Sequence, residues 1–342
     1  MPHRAFFWFI LPSATAMLLF IALPIGSVAV QSLFVEHPRV IVEVENCGPF
    51  GCEIESVVDT EATEALRREK PLGRFNGFGT YINRNHLAFT ELGELWRESS
   101  GAREFLNAAL SLPFYKALSF TLAYTFLVTP LVILLGFMIA LAVNALPRLI
   151  KGPVIFASLL PFIITPLIGS LVLFWMIDAN GILGASLQRL LDAPDLSLKA
   201  SAGLTWLVLF VYGVWHSAPF AFIVFYAGLQ TVPQDTLESA MIDGAGAWSR
   251  VWYVVVPHLA PLVVFVALIQ LMDNFRVFEP IVGFSASANA TSLSWIIFND
   301  LRSEGVQLFG SAAATSMLTL VGVAVLIAPV LARTWRDFQR KG

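Results

Sequence analysis

Charge is scarce in this chain. Of 342 residues only 13% are Asp, Glu, Lys or Arg, while 57% are hydrophobic. A soluble globular protein carries about twice that share of charge, so that class is excluded. Cysteine is nearly absent: two thiols and five scattered histidines do not compose a zinc site. No lysine follows glycine or precedes serine or threonine. The chain therefore has no P-loop and no route to ATP by that motif. It also shows no nucleophile motif, no metal-ligand cluster and no inverted pair of broken helices of the kind many secondary transporters use. No metal, no catalysis and no nucleic-acid partner are expected.

The charges that exist are clustered, and the gaps between them are informative. No Asp, Glu, Lys or Arg occurs in Ala5–Val35, Ala117–Pro147, Gly152–Ile177, Ala200–Gln234, Val251–Met272 or Gly305–Ala332. Each run reaches the roughly 20 residues a helix needs to cross about 30 Å of hydrocarbon. Backbone groups in lipid must be satisfied internally, so each run predicts a helix. The expectation is an all-α membrane protein of six transmembrane helices, with membrane lipid as its solvent. Pro280–Asn299 is also free of charge, but Ser285–Ser294 is too polar to span. It is expected to be an outer loop, free to dip back. The first run allows a second reading, a cleaved signal peptide with Ser27-Val28-Ala29 as its cleavage site. Its apolar part exceeds the usual 7–15 residues, which favours a retained helix.

Orientation follows from the basic residues of the short loops. With the N-terminus inside, the inner side holds Arg4, Arg148, Lys151, Arg250, Arg333, Arg336, Arg340 and Lys341, and the short outer loops hold Arg189, Lys199 and Arg302. Both termini are expected in the cytoplasm of a bacterial inner membrane. The chain then divides into a first helix (1–35), a periplasmic segment (36–115) and a core (116–342). In the periplasmic segment, "RVIVEVENCGPFGCEIESVVD" alternates apolar and polar residues about a Gly-Pro turn, a hairpin pattern. Cys47 and Cys52 stand at the two feet of that turn, where an oxidising periplasm favours a disulfide. "DTEATEALRREK" predicts a short surface helix, and "REFLNAALSLPFYKAL" an amphipathic lead into helix two. The segment holds more acid than base and is expected to be a docking surface.

Residues 233–257, between helices four and five, carry charge, glycine and a proline at each end. Asp235 precedes Glu238 by three residues, the spacing of a capping box, which predicts a new short helix. Gly244 and Gly246 interrupt it, and "AWSRVWYVVV" continues as a second helical stretch to Pro257. Connectors between bundle helices usually have about 2–8 residues. One of this length, with folded pieces of its own, is built to touch something.

"ESAMIDGAGAWSRVWYVVVP" resembles the EAA loop of permeases of ATP-binding-cassette importers. Glu238-Ser239-Ala240, Gly244 and Val254-x-Val256-Pro257 stand where that motif has Glu-Ala-Ala, Gly and Ile-x-Leu-Pro. "GVWHSAPFAFIVFYAGLQTVPQDTLESAMIDGA", "LLPFIITPLIGSLVLFWMID" and "RVFEPIVGF" are similar to the carbohydrate branch of that family. The periplasmic segment is larger than such permeases commonly carry, and "SASANATS" replaces their T-x-G-G-P. The resemblance implies a type I importer fold and a non-catalytic sugar permease paired with a second permease subunit. Two ATPase subunits, which bind ATP and Mg, would each receive an elbow in a cleft. An extracytoplasmic sugar-binding protein would deliver the substrate. Glu238, Ser239, Ala240, Asp243 and Gly244 would couple ATP hydrolysis to transport. Two plainer roles stand beside that one: Glu238 as a cap of its own helix, and Gly244 as a C-terminal helix stop.

"MDNFRVFEP" places Asp273 and Arg276 in an apolar helix. A charge at mid-membrane costs roughly 2.5–3.5 kcal/mol, so both are expected to face the bundle interior. They lie three apart, on one helix face, as do Arg276 and Glu279. Asp273 and Asn274 are candidates for sugar hydroxyls. Arg276 has two readings: half of an ion pair that locks the helix to a neighbour, or the cation for an anionic sugar such as a uronate, sulfosugar or sugar phosphate. Trp175, Tyr212, Trp215 and Phe278 are candidates to stack on sugar rings, against the plainer role of packing. A secondary transporter or membrane enzyme is the remaining alternative.

Overall fold

The computed structural model describes residues 2–48, 51–193, 197–199, 201–303 and 307–339, without the side chains of 2–5, 45–48, 51–55, 334, 337 and 338. Five described helices are long and apolar enough to cross a membrane: Phe6–Gln31, Pro113–Asn144, Ala202–Leu229, Ala247–Phe275 and Phe309–Arg333. Here they are called the first, second, fourth, fifth and sixth spans. The third charge-free run is not one helix. It forms Arg148–Ile163 and Pro166–Met176, bent by 92°. The reason is local. Ile164 and Thr165 are extended (ψ 128° and 142°), because the residue before a proline is sterically driven out of the helical region. Two spans also carry a π turn: Leu18–Ala22 in the first and Val251–Val255 at the start of the fifth.

The chain forms two compact units, Met1–Tyr115 with Ile296–Leu320, and Lys116–Trp295 with Val321–Gly342. In the first unit the expected hairpin is present. Strands Ile41–Gly48 and Gly51–Val58 pair antiparallel, with Cys47 opposite Cys52 and Gly48 opposite Gly51. The turn residues 49–50 and both thiols lie outside the described residues. The surface helix is Thr60–Glu69, capped by the Asp59 carboxylate, which accepts from the Ala62 amide at 2.9 Å. The amphipathic lead-in contains the helix Ala102–Ala109.

Polar bonds fasten this segment to residues Asp300–Thr315 of the same unit. His86 is fully buried, with Nδ1 at 2.8 Å from Asn83 Oδ1 and Nε2 within 3.2 Å of Ser311 O and Thr315 Oγ1. Ser311 Oγ donates to Asp300 Oδ2 at 2.6 Å, and the Gly310 amide donates to Glu36 Oε1. Burial lowers the His86 pKa below its ordinary value, opposed by the Ser311 bond and the nearby Asp300 charge. Burial raises that of Asp300, opposed by the Ser311 hydroxyl and His86. A buried imidazole without a close ion pair is more stable uncharged.

The second unit is built on an aromatic and aliphatic core that includes Phe120, Tyr124, Leu209, Phe222, Phe225, Leu259 and Ile281. Pro280–Asn299 corrects the expectation of an outer loop. It contains the helix Glu279–Gly283, a 3-10 turn at Ala286–Ala288 and the start of Leu293–Leu301. Ile281 and Ala290 are fully buried. Several of its polar groups bond internally. Trp206 Nε1 donates to Asn289 O at 3.0 Å, Ser292 Oγ to Val277 O at 2.6 Å, and the Leu293 amide to Thr121 Oγ1 at 3.3 Å. Gly283 lets the short helix sit on Pro166–Met176, since a Cβ there would stand 1.8 Å from Ser170 Oγ. Non-helical backbone is tolerated inside a membrane protein when its polar groups are satisfied by protein.

Candidate functional site

Two features of the second unit carry chemistry, an exposed elbow and a polar cavity. The elbow begins after Pro233, which is the N-cap of the helix Gln234–Ile242 and makes no side-chain cap bond. Asp235 therefore lies inside the first turn and does not cap it, a correction to the capping-box reading. Pro233 wins because its ring fixes φ near −62° while ψ stays extended at 127°. The helix ends by a Schellman closure. The Gly244 amide donates to Met241 O at 3.0 Å and the Ala245 amide to Ala240 O at 2.9 Å, with Gly244 at φ +78°. That geometry needs a left-handed residue four positions after Ala240, which explains the spacing of the motif. Glu238, Ser239, Asp243 and Gly244 are exposed and Ala240 half-buried. So are the apolar side chains of Ile242 (87%), Trp248 (74%) and Tyr253 (77%).

The cavity, about 580 Å³, opens among the third, fourth and fifth spans. It lies beside the break in the third span, with Phe162 and Pro166 in its lining. The carbonyls freed there are claimed by the fourth span: Tyr212 O–H donates to Pro166 O at 2.7 Å, and His216 Nε2–H donates to Ile164 O at 3.1 Å. Tyr212 and His216 lie four apart and so share a face. From the fifth span come Gln270 and Asn274, both buried, and Asp273. Asn274 Nδ2 donates to Thr129 Oγ1 at 3.0 Å and lies 3.5 Å from Gln270 Oε1. Ser217, Arg276 and Glu279 complete the polar lining, with Tyr124, Phe162 and Phe220 as its aromatic wall.

Four sequence candidates thus meet in one cavity: Tyr212, Asp273, Asn274 and Arg276. Trp175, Trp215 and Phe278 do not line it. Trp175 is 66% exposed. Trp215 lines a separate apolar groove with Leu127, Leu131 and Met138, and Phe278 caps the helix Glu279–Gly283. The Asp273–Arg276 pair differs from the first reading given above, a lock to a neighbouring helix. Arg276 Nη2 meets Asp273 Oδ1 at 3.1 Å, within one helix end, and both side chains are 55% exposed. Among the described residues the pair locks the fifth span to no neighbour, and both side chains stay accessible. Gln270, Ser217 and His216 were not singled out in the sequence, because a search for charge passes over neutral polar groups in apolar runs. Their signal was helical spacing: Gln270 precedes Asn274 by one turn, and His216 follows Tyr212 by one turn.

The comparisons agree with this architecture. A family model described as "Binding-protein-dependent transport system inner membrane component" matches residues 105–337. The trehalose transport system permease protein SugA of Mycobacterium tuberculosis is 30% identical over 212 residues, 62% of this chain and 67% of the relative. The sn-glycerol-3-phosphate transport system permease protein UgpA of Rhizobium meliloti is 29% identical over 273 residues, 78% and 83% of the two chains. In fold, the chain is similar to the crystal structure of a bacterial ABC transporter involved in the import of the acidic polysaccharide alginate. There the TM-score is 0.58 at 20% identity, covering 81% of this chain and 97% of the other. With the family matched across most of its length, and with helices suited to a multi-pass inner-membrane subunit, the chain belongs to the inner-membrane permease components of binding-protein-dependent ATP-binding-cassette importers.

Proposed function

We propose that this permease forms half of the path of a sugar importer and passes a neutral sugar through the cavity beside the broken third span. The observation that carries the reading is the cavity's lining. Ser217, Gln270, Asp273 and Asn274 offer donors and acceptors for hydroxyls, beside the rings of Tyr124, Phe162 and Phe220. Pockets of ~300–1,000 Å³ with a few convergent polar groups and aromatic walls suit small ligands. The anionic-sugar alternative has less support, since Arg276 is engaged with Asp273.

The other half of the path is a second permease subunit. A sugar-binding protein delivers the substrate on the periplasmic side, where the 36–115 segment and its acidic hairpin offer the docking face. Both termini and the elbow face the cytoplasm. There Glu238, Ser239, Ala240, Asp243 and Gly244, with exposed Ile242 and Trp248, dock on one of two ATPase subunits that hold ATP and Mg. The exposed apolar residues of the elbow support this, because a surface of that kind is covered in an assembly.

The test is uptake of a radiolabelled sugar panel by the complete importer in proteoliposomes. Gln270→Ala and Asn274→Ala should each lower uptake of the transported sugar up to tenfold, the worth of about one neutral hydrogen bond, with ATPase assembly retained. Full uptake by both variants overturns the assignment of the cavity as the path.

A further inference from the structure

The cavity contains three charged side chains, and their balance is uneven. Arg276 is the cation of the lining, and its guanidinium lies 3.1 Å from Asp273. Glu279 also lines the cavity. Among the described residues its carboxylate has no hydrogen-bond or ion-pair partner. One carboxylate is thus neutralised and one is left over. The helix ends around the cavity do not decide the sign, since the fifth span ends there at Phe275 while the helices Pro166–Met176 and Glu279–Gly283 begin there. A second observation marks the cavity as built to hold a ligand. Gln270 is only 4% exposed and lines the cavity, yet its amide nitrogen donates to no described group. A donor without a protein partner at the wall of a cavity can serve an acceptor such as a sugar hydroxyl.

We propose that Glu279 is a specificity-determining residue that keeps the cavity net negative, so that the path admits neutral and amino sugars and refuses uronates, sulfosugars and sugar phosphates. This rests on the cavity being the substrate path. The physical cause is uncompensated Coulomb repulsion. A unit negative charge about 8 Å from Glu279 is disfavoured only a few-fold in bulk water and ~30-fold at an effective dielectric of ~20. A half-exposed cavity lies between these limits, at roughly tenfold.

The charge can be read without knowing the sugar. Ser217, on the fourth-span wall of the same cavity, is replaced in Ser217→Cys within the complete importer. Its thiol is then titrated with a cationic and an anionic methanethiosulfonate reagent of similar size (MTSET and MTSES). The parent without Ser217→Cys supplies the background of the natural cysteines. The cationic reagent should react faster than its intrinsic advantage allows, and adding Glu279→Gln should lower the cation-to-anion rate ratio about tenfold or more. Glu279→Asp, which keeps the charge, should preserve the ratio. A ratio that moves less than twofold on Glu279→Gln overturns the proposal, as does a faster anionic reagent in the Ser217→Cys parent. Uptake of trehalose, glucosamine and galacturonate by the same proteoliposomes separates the two readings. Loss of all cavity-dependent uptake effects removes the path assignment, whereas an unchanged thiol ratio with intact uptake removes only the charge filter.

Discussion

Gly244 turns the elbow, and the reason it is glycine predicts how each substitution fails. A Cβ built at this position meets nothing within 4 Å, so no clash opposes a side chain. The cost is conformational alone: φ is +78°, and a left-handed residue with a Cβ costs roughly 1–2 kcal/mol. Gly244→Ala should therefore shift the elbow away from its closed turn about tenfold, breaking the bonds of Gly244 and Ala245 to Met241 and Ala240. The global fold should hold, since no buried residue of Gln234–Ile242 is involved. Asparagine visits the left-handed region readily, so Gly244→Asn should cost only a few tenths of a kcal/mol. Gly244→Asp has nearly the same shape but places a carboxylate against the negative end of the helix Gln234–Ile242 and inside the proposed docking surface. The assay is sugar uptake per ATP hydrolysed in proteoliposomes, with assembly checked by co-purification of the ATPases. The expected order is wild type, then Asn, then Ala, with Asp hydrolysing ATP without uptake. If Ala couples as well as Asn, the turn does not matter. If Asp couples as well as Asn, nothing docks against that face and residues 233–257 are only a connector.

The remaining predictions rest on different atoms. Arg276→Ala should cost only about 0–1 kcal/mol of detergent-solubilised stability, because the pair with Asp273 is local and exposed; a loss of several kcal/mol would show that the carboxylate is desolvated in the assembly. Asp273→Asn should retain part of the sugar uptake, since an amide still offers an acceptor and adds donors, and a complete loss would make its charge indispensable. For His86 burial is the largest influence and depresses the folded pKa, so the unfolded form binds more protons as pH falls through about 6.5. Stability of the 36–115 segment should be fully present above that pH and decline below it, read as faster amide exchange at 83–88 and 311–315. A profile flat across that window would contradict the buried neutral imidazole. Finally, Cys47 and Cys52 should be oxidised to each other, since the strand register sets them opposite; mass mapping without reductant that finds two free thiols would remove the bridge.

The sequence exposed what depends on solvation and concealed what depends on neighbours. Five spans were legible because lipid tolerates no scattered charge, and the elbow because its glycine and prolines act locally. The break in the third span was written in Thr165-Pro166, but its angle depends on Tyr212 and His216 capping the freed carbonyls from another helix. Pro280–Asn299 read as polar because Asn289 and Ser292 look solvated in a string of letters. Their partners, Trp206 and Val277, lie 83 and 15 residues away. Within the cavity, charge pointed to Asp273 and Arg276, while buried Gln270 went unnoticed until the fold set it beside them.

The π turn at Val251–Val255 lies between the elbow and the cavity on one continuous helix. An α-helix advances about 100° per residue, and a π turn accommodates one residue more than the α count. The turn therefore works as a phase adjuster. It lets the stretch beginning at Ala247 keep the azimuth its docking face requires while Gln270, Asp273 and Asn274 keep the azimuth of the cavity. Removing one residue there would leave a regular helix with its two ends still in step, whereas converting the π turn to α geometry at the same length would swing them about 100° apart.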